Sequence, residues 1–86
     1  MKKILVSIFV LCIGEQYDLF IPIDMKLLDA INLIQKSIYE LSGEEYVIRK
    51  DNEVLLYNDD GKIINSNNIV KFSGLKNGSR VLLVWL

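Results

Sequence analysis

The stretch GLKNGSRVLLVWL, residues 74–86, decides the fold because it joins a chain reversal to an uninterrupted apolar run. Gly74, Asn77 and Gly78 favour a turn over residues 74–79. Every residue after Arg80 is apolar, and such a run is typical of a strand in the middle of a sheet. We therefore predict a central strand over residues 80–86, beside which the rest of the chain must be arranged.

A second apolar stretch, residues 4–13, permits two interpretations. Because it follows Lys2 and Lys3, it resembles the apolar part of a secretory signal, but no pair of small residues marks a cleavage point. It is also too short to cross a bilayer. Its β-branched and aromatic residues favour a buried strand over residues 3–10.

We therefore expect residues 1–14 to be retained in the protein from its native host. Intact-mass analysis checks this expectation. A mature chain that begins after Cys12 would contradict it, because the predicted first strand would be lost.

The next segment completes a hairpin with the first strand. Gly14 and its polar neighbours predict a turn over residues 11–16, and residues 17–23 predict a second strand. Pro22 has no N–H for the ladder, so this strand is expected at an edge of the sheet.

One amphipathic helix is predicted over residues 25–41, with Asp24 as its N-cap and Ser42-Gly43 as its end. Apolar residues recur at steps of three and four, which defines one helical face. That face comprises Leu27, Leu28, Ile31, Ile34, Ile38 and Leu41. The opposite, polar face comprises Lys26, Asp29, Asn32, Gln35 and Lys36.

The remaining elements are short and are separated by turns rich in Asn, Asp and Gly. Ser66 is a candidate cap for the last of them before the final strand. In chain order we predict strands over residues 46–49 and 53–57, a brief pairing segment over residues 62–64 and a helical turn over residues 69–72.

This order predicts an α+β fold in which the helix lies across one face of a mixed sheet of four to five strands. The last strand is expected to lie beside the first and parallel to it. Eighty-six residues make one modest core, so residues 1–86 are expected to form a single domain.

The element order resembles the β-grasp fold of ubiquitin over residues 3–86. Within that superfamily the chain is most similar to the YukD/EsaB-type proteins, small cytosolic proteins of type VII (WXG-type) secretion loci in Gram-positive bacteria. Tyr17-Asp18-Leu19 with Ile21-Pro22, and residues 74–82, carry the resemblance; the latter resemble the family's G-[IL]-x-[ND]-G-x-R-[LV] ending. The Trp85-Leu86 end departs from that pattern. The resemblance implies a cytoplasmic protein that acts by binding, and a related domain forms the cytosolic N-terminus of a mycobacterial membrane component of such systems.

The composition argues against several other functions. Ten basic and eleven acidic residues give a net charge of -1 without a basic stripe, so nucleic-acid binding is not favoured. The chain has no histidine and one cysteine, and no cofactor motif or metal-ligand spacing appears, so we expect no enzyme activity and no cofactor. The run Asn58-Asp59-Asp60-Gly61 is interpreted as a plain turn, because a calcium loop needs alternate spacing and a distal glutamate.

A candidate binding surface lies on the face of the sheet that the helix leaves open. Because side chains alternate between the two faces of a strand, Ile4, Val6 and Ile8 are predicted inward, as are Val81 and Leu83. The outward residues would form an exposed apolar patch, which usually marks an interaction site. With Arg49, which shares a phase with Val47, the predicted protein-binding residues are Leu5, Phe9, Phe20, Val47, Arg49, Leu82 and Val84.

Three functions remain open at this stage. The leading one is a non-conjugated accessory or regulatory protein of a type VII secretion system, which binds a cytosolic part of a membrane component without entering the membrane. The second is a conjugated modifier or sulfur carrier, disfavoured because the chain lacks a Gly-Gly pair and ends in Val84-Trp85-Leu86. The third is a small secreted protein from which residues 1–14 are removed. The outward patch is expected to meet a protein partner or a second copy, or else to be covered by the chain's own loops or its Trp85-Leu86 end.

Overall fold

The computed structural model describes residues 2–86, which form one α-helix and one mixed four-stranded sheet. The strands are β1 (Lys3–Val10), β2 (Glu15–Pro22), β3 (Val54–Tyr57) and β4 (Ser79–Trp85), and the helix is α1 (Leu27–Leu41). Two short 3-10 helices, Asp51–Glu53 and Val70–Phe72, lie in the connections. The predicted α+β class is confirmed, with four strands in the sheet.

The order of strands across the sheet is β2-β1-β4-β3. β1 pairs antiparallel with β2 and parallel with β4, and β3 pairs antiparallel with β4. β4 therefore lies in the middle of the sheet beside the first strand, as its apolar run predicts. β2 forms one edge, and Pro22 is its last residue. The edge position that proline requires is therefore confirmed.

The core lies between α1 and one face of the sheet. Val6, Ile8 and Leu83 are fully buried on the central strands. From the helix, Leu27, Ala30, Ile31, Ile34 and Ile38 are buried against them. The three- and four-residue spacing of the helix and the two-residue spacing of the strands thus meet in one apolar layer.

The helix begins two residues later than predicted, and Asp24 does not cap it. Lys26 occupies the N-cap position without a side-chain hydrogen bond. Instead, the N–H groups of Leu27 and Leu28 donate to the carbonyl oxygens of Asn68 and Ser66, at 2.8 and 3.0 Å. A distant polar loop therefore satisfies the free N–H groups that a local cap would otherwise bind. Asp24 pairs with Lys71 at 3.2 Å.

For two residues of the helix, the predicted face is wrong. Leu41, the last helical residue, is 60% exposed. Gln35 is fully buried although it was assigned to the polar face. Gln35 is four residues after Ile31 and three before Ile38, so it lies within the apolar arc of the helix, and polarity alone assigned it wrongly.

The strand predicted over residues 46–49 is wrong. This segment joins no ladder, and at its end the side chain of Gln35 binds the backbone of Arg49, as a neighbouring strand would. Its Oε1 accepts from the N–H of Arg49 at 2.8 Å, and its Nε2 donates to the carbonyl oxygen of Arg49 at 2.9 Å. Tyr46 is fully buried at the start of the segment.

The connection from β3 to β4 matches the prediction in part. Ile63 forms an isolated bridge with Tyr57, so residues 62–64 do pair briefly. A 3-10 helix is present at Val70–Phe72, but its N-cap is Ile69 and no side chain caps it. The expected capping role of Ser66 is therefore wrong, since its carbonyl oxygen serves the start of α1 instead.

Candidate protein-binding face

The face of the sheet opposite α1, here called the outer face, is built by alternation along each strand. On β4, Val81 and Leu83 are 5% and 0% exposed, whereas Leu82 and Val84, which alternate with them, point away from the helix and are half-buried. On β1 the buried residues Val6 and Ile8 alternate in the same way with outward residues. The outer face comprises Leu5, Ser7, Phe9, Gln16, Asp18, Phe20, Leu55, Tyr57, Arg80, Leu82 and Val84.

The register of the sheet collects the apolar residues of the outer face into two clusters. The larger cluster begins with Phe9, which lies beside Leu82, while Leu82 in turn lies beside Tyr57. The next outward pair, Leu55 and Val84, extends it along β3 and β4. This set is here called the β4 cluster, and it comprises Phe9, Leu55, Tyr57, Leu82 and Val84. The smaller cluster is the cross-strand pair of Leu5 and Phe20, in which Phe20 is 64% exposed.

A polar row separates the two clusters. Ser7 on β1 lies between Asp18 on β2 and Arg80 on β4. The hydroxyl of Ser7 donates to Oδ1 of Asp18 at 2.6 Å, and Arg80 lies 3.9 Å from Asp59 in an exposed ion pair. The patch expected from the sequence is thus divided by a charged row, with an acid on one side of the central strand and a base on the other.

Five of the seven predicted binding residues lie on the outer face, and two do not. Val47 is 58% exposed in the loop after α1 and belongs to no strand. Arg49 lies on the helix side, because its N–H is bound by Gln35 of α1. Leu55 and Tyr57 take the places on the third strand that were assigned to Val47 and Arg49. All four residues of β3 are apolar or aromatic, so no polar residue signalled which of them face outward.

The structure gives Trp85 a place in the packing. Its ring meets that of Tyr46 edge to face, with centroids 5.5 Å apart, and its Nε1 donates to the Tyr46 hydroxyl at 3.1 Å. That hydroxyl donates to Oε1 of Gln35 at 2.7 Å. Burial raises the pKa of Tyr46 above that of a free tyrosine. The guanidinium of Arg49 lies 4.4 Å from the centre of the Trp85 ring, a cation–π contact that closes the cluster.

Comparison of the sequence with protein-family models and with curated proteins finds no match. Solved structures do match the fold. One reported as molecular mimicry of SUMO that promotes DNA repair has a TM-score of 0.72 at 21% identity, and the match covers 98% of this chain and 92% of that one. Ubiquitin of Caldiarchaeum subterraneum has a TM-score of 0.64 at 9% identity, over 99% and 95% of the two chains. The chain has the ubiquitin-like β-grasp fold.

The same ubiquitin-like fold occurs within a larger chain of the MycP5-free ESX-5 inner membrane complex. The TM-score is 0.70 at 13% identity, and the match covers 100% of this chain. This chain spans 21% of the length of that one. At such identities the likeness concerns the fold alone.

The exposed thiol of this ubiquitin-like chain is not activated. Cys12 lies in the turn between β1 and β2. Desolvation raises the pKa of the Cys12 thiol, and this effect exceeds the lowering by backbone hydrogen bonds and by the nearby charge of Arg49. A thiol is a nucleophile as the thiolate, so this environment makes Cys12 less reactive than an ordinary cysteine.

Other features offer little to a small ligand. Within residues 2–86, no group of three or more Cys, Asp or Glu side chains is placed to hold a metal ion. A cleft of about 190 Å³ lies between the Asn58–Asp60 turn and Arg80, which is smaller than the roughly 300–1,000 Å³ of typical ligand pockets. None of the helices described is long and apolar enough to cross a membrane. The outer face is therefore the candidate functional surface.

Proposed function

We propose that this ubiquitin-like chain is a non-conjugated accessory or regulatory protein of a bacterial type VII secretion system. It binds a protein partner, a cytosolic part of a membrane component, through the outer face of its sheet. The observation that carries the proposal is the β4 cluster, which is apolar, lies on the central and edge strands, and faces away from the only helix that packs on the sheet in residues 2–86. Contiguous apolar surface of this kind usually marks an interaction site.

Two observations support the secretion assignment. The sequence of residues 17–22 and 74–82 resembles that of the YukD/EsaB-type proteins. A chain of an ESX-5 inner membrane complex contains a region of the same fold. A membrane ATPase gene and small WXG-type genes beside the gene for this chain would add independent support.

The last described residues are part of the fold. Trp85 lies in β4 and packs on Tyr46. The N–H of Leu86 donates to the carbonyl oxygen of Glu53 at 2.9 Å. Trp85 and Leu86 are therefore held against the sheet and the segment before β3.

Replacing Leu82 and Val84 together with serine is expected to weaken partner binding. Truncation of a central interface contact typically costs more than about 1 kcal/mol, so the double variant should raise the Kd at least about tenfold. The fold should survive, because neither side chain belongs to the buried core. The measurement is calorimetric titration of the protein with purified cytosolic domains of the membrane components encoded in the same host's secretion locus.

A matched control replaces two accessible apolar residues of the helix. Leu33 and Leu41 are 42% and 60% exposed and lie on α1, away from the outer face. Leu33→Ser with Leu41→Ser should leave the Kd unchanged. An unchanged Kd for the Leu82 and Val84 variant, with its thermal unfolding intact, would refute docking through the outer face. Absence of binding to every cytosolic domain of the locus would refute the secretion assignment.

A further inference from the structure

Two charged residues of the outer face, Asp18 and Arg80, lie symmetrically about β1. Asp18, Ser7 and Arg80 form one row, so the carboxylate and the guanidinium lie one strand to either side of β1. Both charged side chains are exposed. The acid and the base therefore lie at equal distances from a line along β1. When a second copy is turned about that line, its base faces the acid of the first copy, so the surface is complementary to itself.

The direction of a two-fold axis between two stacked outer faces decides which charges meet. An axis parallel to β1 exchanges the β2 side of one copy with the β4 side of the other, so Asp18 of each copy lies opposite Arg80 of the other. An axis across the strands brings like residues together, and Asp18 then faces Asp18 while Arg80 faces Arg80. Like charges in contact are strongly unfavourable. The charge pattern therefore selects the axis along the strands, which is also the aligned arrangement common in stacked sheets.

The shape of the outer face fits the same axis. Phe20 is 64% exposed and lies beside Leu5. On the other side of Leu5 lies Gly78, whose N–H donates to the Leu5 carbonyl oxygen at 2.7 Å. A Cβ added at Gly78 would meet no atom within 4 Å. Turning the face about β1 places the projecting ring of Phe20 over the second copy's Gly78, where no side chain obstructs it.

The axis also places Phe9 against its own copy. Phe9 lies on β1, near the axis, so it meets Phe9 of the second copy, while Leu82 lies opposite Gln16 of that copy. An isologous interface needs a surface that is complementary to itself. The outer face meets that requirement in charge, in shape and in the position of Phe9.

We propose that the outer face, in the free protein, pairs with the outer face of a second copy of this chain about a two-fold axis parallel to β1. The proposal rests on the proposed function in taking the outer face as a binding surface, and it names the occupant of that surface when no secretion component is bound. The Asp18–Arg80 pairs set the orientation, and the Phe9 pair with the two Phe20–Gly78 contacts supplies the apolar part of the interface.

The size of the face sets the expected strength. With the axis along β1, three strands of each copy face the other. At about 4.8 Å apart and up to eight residues long, with ~3.3 Å per residue, they give roughly 400 Å² per copy. Stable complexes bury about 800 Å² on each partner. The dimer is therefore expected to be weak and concentration-dependent, which allows a secretion component to displace the second copy.

Charge reversal at the two positions tests the proposal. Asp18→Lys places a lysine opposite Arg80 of the other copy, and Arg80→Glu places a glutamate opposite Asp18, so each single variant should weaken dimerisation at least about tenfold.

An equimolar mixture of the two single variants should form a heterodimer. In that mixture the introduced lysine of one chain meets the introduced glutamate of the other, while Arg80 of the first chain meets Asp18 of the second. The combined Asp18→Lys and Arg80→Glu variant should regain the affinity of the original protein. Sedimentation equilibrium over a wide concentration range, at low ionic strength, measures all four samples.

The controls reverse charges on the helix, away from the outer face. Glu40→Lys and Lys36→Glu alter exposed residues of α1 and should leave the sedimentation of the protein unchanged. A monomer at every concentration would overturn the proposal, and so would single variants that dimerise as the original protein does or a mixture that stays monomeric. Those results would not bear on the titration with secretion components, which tests the proposed function separately. Conversely, a dimer with this charge dependence that binds no secretion component would retain the inference and remove the proposed function.

Discussion

Replacing Ile31 or Ile34 with alanine is expected to lower the free energy of unfolding by about 2–5 kcal/mol. The two side chains are 1% and 2% exposed and lie in the layer between α1 and the sheet. Deletion of so many buried atoms removes their transfer free energy and leaves a cavity that the surrounding structure fills only in part. A small domain has about 5–15 kcal/mol in total, so either variant should lose a large fraction of its stability. Chemical denaturation of each purified variant measures the change.

Leu33→Ala is the matched control for this experiment, because it truncates an apolar residue of the same helix that is 42% exposed. It should change the free energy of unfolding far less than either isoleucine variant. Equal effects at Leu33 and Ile31 would mean that the helix presents a different face to the sheet.

Replacing Tyr46 with alanine is expected to lower the free energy of unfolding by about 3–5 kcal/mol. Tyr46 is fully buried, packs edge to face on Trp85, and carries a hydroxyl that is bound on both sides. Its removal opens a cavity and leaves Trp85 Nε1 without its acceptor. Because Trp85 is the only tryptophan in the chain, its fluorescence follows unfolding and also reports the loss of the neighbouring ring.

Tyr46→Phe separates packing from hydrogen bonding, since it keeps the ring and removes the hydroxyl. The expected loss is about 1–3 kcal/mol, the usual range for leaving a buried polar group unsatisfied. Tyr39→Phe is the control, because the Tyr39 hydroxyl donates to Glu44 at an exposed site. Equal losses for the two phenylalanine variants would show that the Gln35–Tyr46–Trp85 chain of hydrogen bonds contributes nothing particular to the fold.

Much of the fold was predictable from local patterns. The apolar run after Arg80, the alternation along residues 3–10 and the three- and four-residue spacing of residues 27–38 each indicate an element and the face it buries. These patterns arise from the geometry of one strand or one helix. They also place Leu5, Phe9, Phe20, Leu82 and Val84 outward. Each of these residues is an even number of positions from a polar residue of its own strand, and alternation puts such residues on the same face.

The predictions that are wrong involve polar groups whose partners are distant in the chain. Asp24 looks like a cap, yet the carbonyl groups of Ser66 and Asn68 bind the start of the helix. Gln35 looks like a surface residue, yet it is buried and holds the backbone of Arg49, fourteen residues away. A propensity describes what a residue prefers by itself, and a tertiary contact can satisfy the same hydrogen bond from elsewhere.

The sequence by itself determined the type and order of the main elements, the central position of β4 and the inward phase of β1 and β4, because these follow from the spacing of apolar residues within one segment. Only the tertiary structure decided that residues 46–49 run as a loop, that Leu55 and Tyr57 complete the outer face and that Asp18 and Arg80 lie on either side of Ser7. Those facts depend on the register between strands and on contacts between residues eleven to seventy-three positions apart. Register is set by how whole elements pack, and no single segment carries that information.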